Sequence, residues 1–288
     1  MPGVRHRYLA LPTGVRVHVA EAGPEDGTPV LCLHGWPQHW YIWRHLIAAL
    51  AGEHRLICPD NRGAGWSGWP QDGDLRKQRL ADDAVAVLDS LGVQRAHVIG
   101  HDWGGWAAML LAVGAPERLR SMIALSIVHP WIPTARALTN LWRFAYQVPL
   151  ATPVLSERLQ RRPDFARRVL RSGWHDRQAW DEEAAASYGA ALSQPDNARA
   201  GHRMYRQFVV QEFGPGLAGG FSGRRLGVPS RLLIGRHDPL GADLARGFER
   251  HGDDAAWEVV EGSGHFLPEE RPEPVHARAR ELFAAAAG

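Results

Sequence analysis

The chain has 288 residues, of which 45% are hydrophobic and 22% are charged, so it fits one large globular domain or one domain with an inserted module. Its formal net charge is +2 and its basic residues are scattered, which argues against a nucleic-acid-binding protein. The two cysteines, Cys32 and Cys58, lie inside apolar runs, and we expect both to be reduced core residues in neighbouring strands.

Residues 1–7 lack the apolar segment of a signal peptide. The longest uninterrupted apolar run, residues 106–113, is too short to span a membrane. We therefore expect a soluble, cytoplasmic protein that has neither a membrane nor a nucleic acid as its partner.

Short apolar runs alternate with helical patterns in the first third of the chain. Strands are predicted at residues 16–19, 29–33 and 54–58, and helices at residues 42–50 and 80–91. The second helix is followed by Gly92, a residue typical of helix C-termini. This alternation predicts an α/β fold with a mostly parallel sheet flanked by helices.

A turn at residues 100–105 (Gly-His-Asp-Trp-Gly-Gly) joins a strand at residues 96–99 to an apolar helix that includes residues 106–113. The glycines permit a tight, strained connection between strand and helix. The central residue, Asp102, is thereby placed at a helix N-terminus, where free N–H groups and the helix dipole favour negative charge. We predict Asp102 as a nucleophile, in the position that serine usually occupies in such an elbow.

The pattern changes after a further strand predicted at residues 122–128. Residues 130–227 contain helix-like stretches rich in Arg, Ala and Trp, and no convincing buried strand. Strands return at residues 230–235 and 257–260, and a closing helix is predicted at residues 274–287. We predict a core made of residues 1–129 and 228–288, with residues 130–227 inserted as a helical cap, or lid.

Four segments lie at the ends of predicted strands: residues 34–37 (His-Gly-Trp-Pro), Asp102, Asp238 and His265. The carboxyl ends of parallel strands share one edge of a sheet, so these segments are expected to meet there. Asp238 precedes Pro239 and, taken alone, could also be a turn residue. The chain order of nucleophile, acid and histidine is the one that α/β-hydrolases use.

The chain resembles the epoxide hydrolase and haloalkane dehalogenase branch of the α/β-hydrolase superfamily over essentially its whole length, and epoxide hydrolases most closely. The resemblance rests on residues 34–37, 60–67 (Asp-Asn-Arg-Gly-Ala-Gly-Trp-Ser), 100–105, Asp238 and 264–266 (Gly-His-Phe). It implies a hydrolase of the α/β-hydrolase fold that needs no cofactor.

The same resemblance implies Asp102, His265 and Asp238 as catalytic residues. It also implies an oxyanion hole made by the backbone N–H groups of Trp36 and Trp103, and it allows a cis peptide bond after Trp36. His34 and His101 are expected to be hydrogen-bonding scaffold residues.

The residues themselves support this chemistry. A carboxylate is ionised at pH 7 and needs no base to become nucleophilic. Attack by Asp102 on a saturated carbon that bears a strained oxygen or a halide gives an alkyl ester. His265, oriented by Asp238, is suited to activate the water that attacks the carboxyl carbon of Asp102 and hydrolyses that ester.

Opening an epoxide leaves an alkoxide that needs an acid, and a pair of lid tyrosines typically supplies it in this family. Residues 204–206 (Met-Tyr-Arg) resemble the motif of the second lid tyrosine, so Tyr205 is the predicted acid; its alternative role is packing on a lid helix. Residues 142–149 resemble the segment of the first tyrosine. Aligned on Gln147, that position falls on Trp142, which can donate a hydrogen bond but is not a practical acid. Tyr146 and Tyr188 are substitutes that the ungapped spacing does not favour.

Halide release would instead need donors such as indole N–H groups, and Trp103 with Trp142 could provide a pair. Against this, residue 36 is Trp, where one large dehalogenase group has Asn as a halide ligand.

We therefore expect an epoxide hydrolase that converts a small apolar epoxide and water into a vicinal diol, with substrate contacts from Trp103, Trp142 and Tyr146. A haloalkane or haloacid dehalogenase acting on a halogenated substrate is the alternative. A non-catalytic small-molecule-binding protein is a minor one, because the set Asp102, His265 and Asp238 is intact.

No metal or cofactor is expected. The 15 histidines show no convincing H-E-x-x-H or H-x-x-E-H pattern. Residues 63–68 match G-x-G-x-x-G after a strand, but Pro70 and Gly73 follow where a dinucleotide-binding motif must open a helix.

Overall fold

An eight-stranded sheet lies at the centre of the computed structural model, which describes residues 1–217 and 219–286. The strands are β1 (Arg5–Leu11), β2 (Val15–Ala22), β3 (Thr28–Leu33), β4 (His54–Pro59), β5 (Ala96–His101), β6 (Leu119–Leu125), β7 (Ser230–Gly235) and β8 (Ala255–Val260). Their order across the sheet is β1-β2-β4-β3-β5-β6-β7-β8, and β2 pairs antiparallel with both β1 and β4. The remaining neighbours are parallel, which confirms the predicted mostly parallel sheet.

The α-helices flank the sheet and also form an insertion between β6 and β7. They are α1 (Arg44–Leu50), α2 (Lys77–Ser90), α3 (Trp103–Gly114), α4 (Thr134–Thr139), α5 (Gln147–Ala151), α6 (Leu155–Gln160), α7 (Phe165–Gly173), α8 (Glu182–Leu192), α9 (Pro195–Gln207), α10 (Phe213–Leu217), α11 (Leu267–Glu270) and α12 (Pro272–Ala285). A π-helix, Phe208–Glu212, continues α9. The closing helix, predicted at residues 274–287, begins and ends two residues earlier, and Ala287 lies outside the described residues.

Alternating side chains of the central strands divide the core into two layers. In β3, Leu31 and Leu33 pack in the layer that contains α2 and α3, whereas Val30 and Cys32 pack in the layer that contains α1 and α12. This two-residue alternation is what a strand with both faces covered requires. Cys32 and the neighbouring-strand residue Cys58 are buried and free, as expected.

Two strands differ from the predictions. β1 was missed because most of its side chains are exposed, so it lacks the apolar pattern of a core strand. β6 spans Leu119–Leu125 rather than residues 122–128, because the chain turns at Ser126, whose φ is 50°.

We propose that the insertion between β6 and β7 forms the predicted cap, residues 130–227. Seven α-helices, α4 to α10, lie in its described part, and no strand does. Across the described chain, no helix has both the length and the apolar character needed to cross a membrane.

Candidate active site

The turn between β5 and α3 places Asp102 at the carboxyl edge of the sheet. Asp102 has a φ of 49° and a ψ of −123°, a combination outside the left-handed helical region that L-residues seldom adopt. A Cβ atom on Gly104 would lie 2.1 Å from the Leu33 carbonyl oxygen, so only glycine permits α3 to approach β3 this closely. The glycines of the motif thus hold a strained residue on the sheet edge.

Backbone donors face the Asp102 carboxylate. The Trp36 N–H donates to Asp102 Oδ2 at 2.9 Å, and the Trp103 N–H is close enough to the carboxylate to lower the pKa of Asp102. The Trp36–Pro37 peptide bond is cis. Burial raises the pKa of Asp102 to about 6, although nearby His265 and the two N–H groups oppose that rise. The two donors predicted for an oxyanion hole therefore lie beside the predicted nucleophile.

His265 and Asp238 form a buried pair beside Asp102. His265 Nδ1 lies 3.2 Å from Asp238 Oδ1 and 3.1 Å from Oδ2, and the Asp238 side chain is fully buried. Burial alone would lower the pKa of His265, but the Asp238 and Asp102 carboxylates raise it to about 9. Burial alone would raise the pKa of Asp238, but His265 and the Leu240 N–H lower it below its ordinary value. Because Asp238 engages Nδ1, Nε2 is the nitrogen available to a water molecule.

His34 and His101 are buried scaffold residues, as expected. His34 Nδ1 bonds the Gly35 carbonyl at 2.8 Å, and its Nε2 accepts the Asn61 N–H at 2.9 Å. His101 Nε2 bonds the His265 carbonyl at 2.9 Å. Both rings hold loops of the site in place through backbone atoms.

A cavity of about 290 Å³ opens between the sheet edge and the cap. It is lined by Asp102, Asp238, His265, Tyr146 and Tyr205, together with Ser172, Gly173 and the apolar residues Trp36, Pro149, Leu150, Leu159, Phe165, Val169, Pro239, Leu240 and Phe266. The catalytic candidates are thus almost the only polar groups in an apolar chamber, the usual composition of a small-molecule site.

Both Tyr205 and Tyr146 reach this cavity from the cap. Tyr205 is 2% exposed, and burial raises the pKa of its hydroxyl well above the ordinary value, with nearby Tyr146 and Asp102 raising it further. The Tyr146 side chain is 43% exposed, yet its hydroxyl lies 3.5 Å from Gln147 Nε2 and near Tyr205, and burial raises its pKa too. Both phenols are therefore neutral proton donors near pH 7.

The structure does not bring Trp142 to the cavity, which corrects its predicted role in substrate binding. Trp142 is 70% exposed on the cap surface, beside Arg143. Trp103 does not line the cavity either; its ring lies under that of Tyr205, with centroids 5.8 Å apart. Tyr188 points elsewhere, since it donates to Glu269 Oε1 at 2.6 Å.

Sequence reasoning missed several groups that support the site. Gln160 accepts a hydrogen bond from Trp36 Nε1 at 3.2 Å, and Glu269 and Glu270 are buried carboxylates next to the His265 loop. No local motif marks them, because most of their partners lie far away in the chain. Within residues 1–217 and 219–286, no cluster of three or more His, Cys, Asp or Glu side chains could hold a metal ion.

The chain is similar to known proteins over most of its length. The family described as alpha/beta hydrolase fold matches residues 28–272. The chain is 31% identical over 287 residues to the soluble epoxide hydrolase of Corynebacterium sp. (strain C12), covering 96% of each protein. It is 32% identical over 281 residues to the AB hydrolase superfamily protein YfhM of Bacillus subtilis (strain 168), covering 94% of this chain and 95% of that protein. The structure of epoxide hydrolase CorEH without ligand matches with a TM-score of 0.83 and 29% identity, covering 98% of this chain and 99% of that one.

Proposed function

The chain belongs to the α/β-hydrolase fold family, and from that premise we propose that it is an epoxide hydrolase whose nucleophile is Asp102. The observation that carries the proposal is the content of one cavity. A buried carboxylate, a histidine–carboxylate pair and two neutral tyrosine hydroxyls line it together. Ring opening of an epoxide needs a nucleophile and an acid, and ester hydrolysis needs a base.

In the first step, an Asp102 carboxylate oxygen attacks one epoxide carbon and the C–O bond of that carbon breaks. The oxygen that leaves the carbon takes a proton from Tyr205 or Tyr146. The product is a hydroxyalkyl ester of Asp102 and one tyrosinate. The Trp36 N–H, 2.9 Å from Asp102 Oδ2, keeps the carboxylate oriented during this attack.

In the second step, His265 Nε2 takes a proton from water, and the resulting hydroxide attacks the carboxyl carbon of Asp102. The oxyanion that develops accepts hydrogen bonds from the Trp36 and Trp103 N–H groups. Collapse breaks the ester bond, releases the vicinal diol and restores the Asp102 carboxylate. The tyrosinate is reprotonated by a proton that His265 gives up, so every group returns to its starting protonation state and the net reaction consumes one water.

The geometry supports an epoxide better than an organohalide. Halide release needs good hydrogen-bond donors, commonly indole N–H groups. Trp142 is 70% exposed, however, and Trp36 is the only tryptophan among the described residues that line the cavity. The Trp36 indole N–H already donates to Gln160. The apolar lining favours a small, uncharged, apolar epoxide as the substrate.

A trapped ester tests this function. His265→Gln should alkylate but not hydrolyse, so intact-protein mass spectrometry after incubation with small alkyl and aryl epoxides should show a gain of one epoxide mass located on Asp102. The wild type should release diol. The double variant Asp102→Asn/His265→Gln should gain nothing.

Two other outcomes contradict the proposal. An absence of adduct with every epoxide would remove the epoxide hydrolase assignment. An alkyl adduct formed only from matched haloalkanes, with release of halide, would establish the dehalogenase instead.

A further inference from the structure

Glu270, the last residue of α11, has a carboxylate that is almost completely buried, with 1% of the residue exposed. Its Oε1 accepts the N–H groups of Gly264 at 3.1 Å and Phe266 at 3.2 Å. Its Oε2 accepts the N–H groups of His175 at 2.7 Å and Asp176 at 2.9 Å. One carboxylate therefore binds four backbone donors from two separate segments of the chain.

The first segment is the loop that carries His265. The His265 N–H donates to the Gly173 carbonyl at 2.8 Å, and the His265 carbonyl bonds His101 Nε2 at 2.9 Å. With Glu270 on both neighbouring N–H groups, the backbone on each side of His265 is fixed by specific partners. Asp238 orients the imidazole ring, whereas these bonds set the position of the chain from which the ring extends.

The second segment, Gly173–Asp176, belongs to the cap. It lies against the His265 loop so closely that a Cβ atom on Gly264 would stand 2.2 Å from the Gly173 carbonyl oxygen. Trp174 also stacks on Phe266, with ring centroids 5.8 Å apart. Glu270 is thus the side chain that accepts backbone hydrogen bonds from both the cap segment and the His265 loop.

We propose that Glu270 is a positioning residue, which keeps His265 in place for ester hydrolysis by joining its loop to the cap. This inference rests on the proposed function, because the reaction must have a hydrolytic step that needs His265. It assigns the two carboxylates at His265 different tasks, since Asp238 touches the ring and Glu270 touches only backbone N–H groups.

The chemistry of the site requires a carboxylate at this position. Four N–H groups converge on two oxygens, and only an ionised carboxyl group can accept from all of them. In Glu270→Gln, one oxygen becomes an NH₂ group that faces two N–H donors and cannot accept from them. That change keeps the size of the side chain and releases one of the two segments.

Rapid-quench kinetics with a small apolar epoxide test the proposal, because alkylation of Asp102 and hydrolysis of the ester can be timed separately by mass spectrometry. For Glu270→Gln we expect hydrolysis to slow by about ten- to a hundredfold, the range typical of a misplaced catalytic group, with alkylation changed by less than about threefold. The ester should then accumulate during turnover. Glu270→Asp keeps the charge but has a shorter reach, so it should restore part of the hydrolysis rate.

Glu269→Gln is a matched control, because Glu269 is the adjacent residue and is also buried, with 3% exposed. Its carboxylate bonds the side chains of Gln38, Arg44 and Tyr188 rather than the His265 loop. We expect this variant to unfold at a lower temperature while its ratio of hydrolysis to alkylation stays at the wild-type value. Amide hydrogen exchange without substrate should accelerate in Glu270→Gln only, at Gly264 and Phe266 or at His175 and Asp176, according to which pair faces the new NH₂ group.

The possible results distinguish a failure of the Glu270 inference from a failure of the proposed function. If both rates fall equally in Glu270→Gln, if neither falls, or if Glu269→Gln gives the same kinetic split, Glu270 has no specific effect on His265 and the inference is overturned. If Glu270→Gln does not fold, Glu270→Asp decides by the same ratio. If no protein, including the wild type, forms an ester, the proposed function fails and the inference fails with it.

Discussion

Asp102 and His265 each shift the pKa of the other, and this coupling links the two steps of the proposed reaction. With the pKa of Asp102 near 6 and that of His265 near 9, the two residues form an ion pair at neutral pH before substrate binds. Alkylation removes the negative charge of Asp102, which is one of the groups that raise the pKa of His265. His265 therefore loses its proton more easily once the ester has formed, and the tyrosinate left by ring opening can accept it. His265 is then the neutral base that the hydrolysis step needs.

The pKa of Asp102 predicts an acid limit for the alkylation step. Only the carboxylate is nucleophilic, so lowering the pH through about 6 should remove it, and the alkylation rate at pH 5 should be about a tenth of that at pH 8. In His265→Gln the limit should move to higher pH, because His265 lowers the pKa of Asp102. Rapid-quench measurements from pH 5 to pH 9 test this, with circular dichroism to confirm that the fold persists. A rate that does not change between pH 8 and pH 5 would contradict it.

The two cavity tyrosines predict a shared acid. Tyr146→Phe and Tyr205→Phe should each slow alkylation by about 10- to 100-fold, because the remaining hydroxyl can still donate, and the double variant should lose more than either single one. Tyr188→Phe is the control, since Tyr188 bonds Glu269 outside the cavity. Its alkylation rate should remain near that of the wild type. If Tyr146→Phe were alkylated at the wild-type rate, Tyr205 would be the sole acid.

At the scale of the elements, the strands that carry the site follow from the sequence, because each contains a short apolar run, which is buried in β5 and β7 and partly exposed in β8. Asp102, Asp238 and His265 follow such runs, so their meeting at one sheet edge could be predicted. The strand β1 could not be predicted, because it lies at the sheet edge and its exposed side chains give no apolar pattern. The sequence therefore reveals a rim strand where an apolar run marks it, as in β8, and not where such a run is missing, as in β1.

In the cap, the spacing of residues along the sequence does not predict which side chains lie on the same face. Trp142 and Tyr146 are four residues apart, a spacing that a regular helix would place on one face. In the structure, a 3₁₀ helix covers Leu141–Phe144 and α5 begins only at Gln147, so the two side chains diverge. Glu270 is a second case, because its burial depends on donors from Gly264 and Phe266 and from the distant residues His175 and Asp176. Neither the local pattern nor the composition of such a segment contains that information.

At the scale of the whole molecule, the cap and the core carry opposite charge. Residues 130–227 hold 14 of the 33 basic residues but only 8 of the 31 acidic ones, so the cap is net positive and the remainder net negative. Ion pairs cross the boundary in both directions: Arg44–Asp181, Lys77–Glu212, Arg143–Asp243 and Arg271–Asp176. Exposed pairs of this kind contribute little, so the buried one should matter most to how the two parts stay together.

That buried pair involves Lys77, the only lysine of the chain, whose side chain is fully buried at the start of α2. Its Nζ lies 3.1 Å from Glu212 Oε2 in the π-helix of the cap and 4.3 Å from the centre of the Trp103 ring. Lys77→Met keeps the length of the side chain but leaves Glu212 without its cation. We expect a loss of about 2 kcal/mol in the free energy of unfolding, less than for a fully buried pair, because the Glu212 side chain keeps 20% of its surface exposed.

Urea denaturation followed by circular dichroism measures this loss. Lys77→Met/Glu212→Leu should recover much of it, because replacing both partners by apolar side chains leaves no buried charge unpaired. Arg236→Met, which breaks the exposed Arg236–Glu261 pair, should change the free energy of unfolding by less than about 0.5 kcal/mol. If Lys77→Met changed the free energy of unfolding as little as Arg236→Met does, the charge of Lys77 would not contribute to holding the cap on the core. Its burial would then reflect packing of the methylene chain against Trp103 and Phe208 alone.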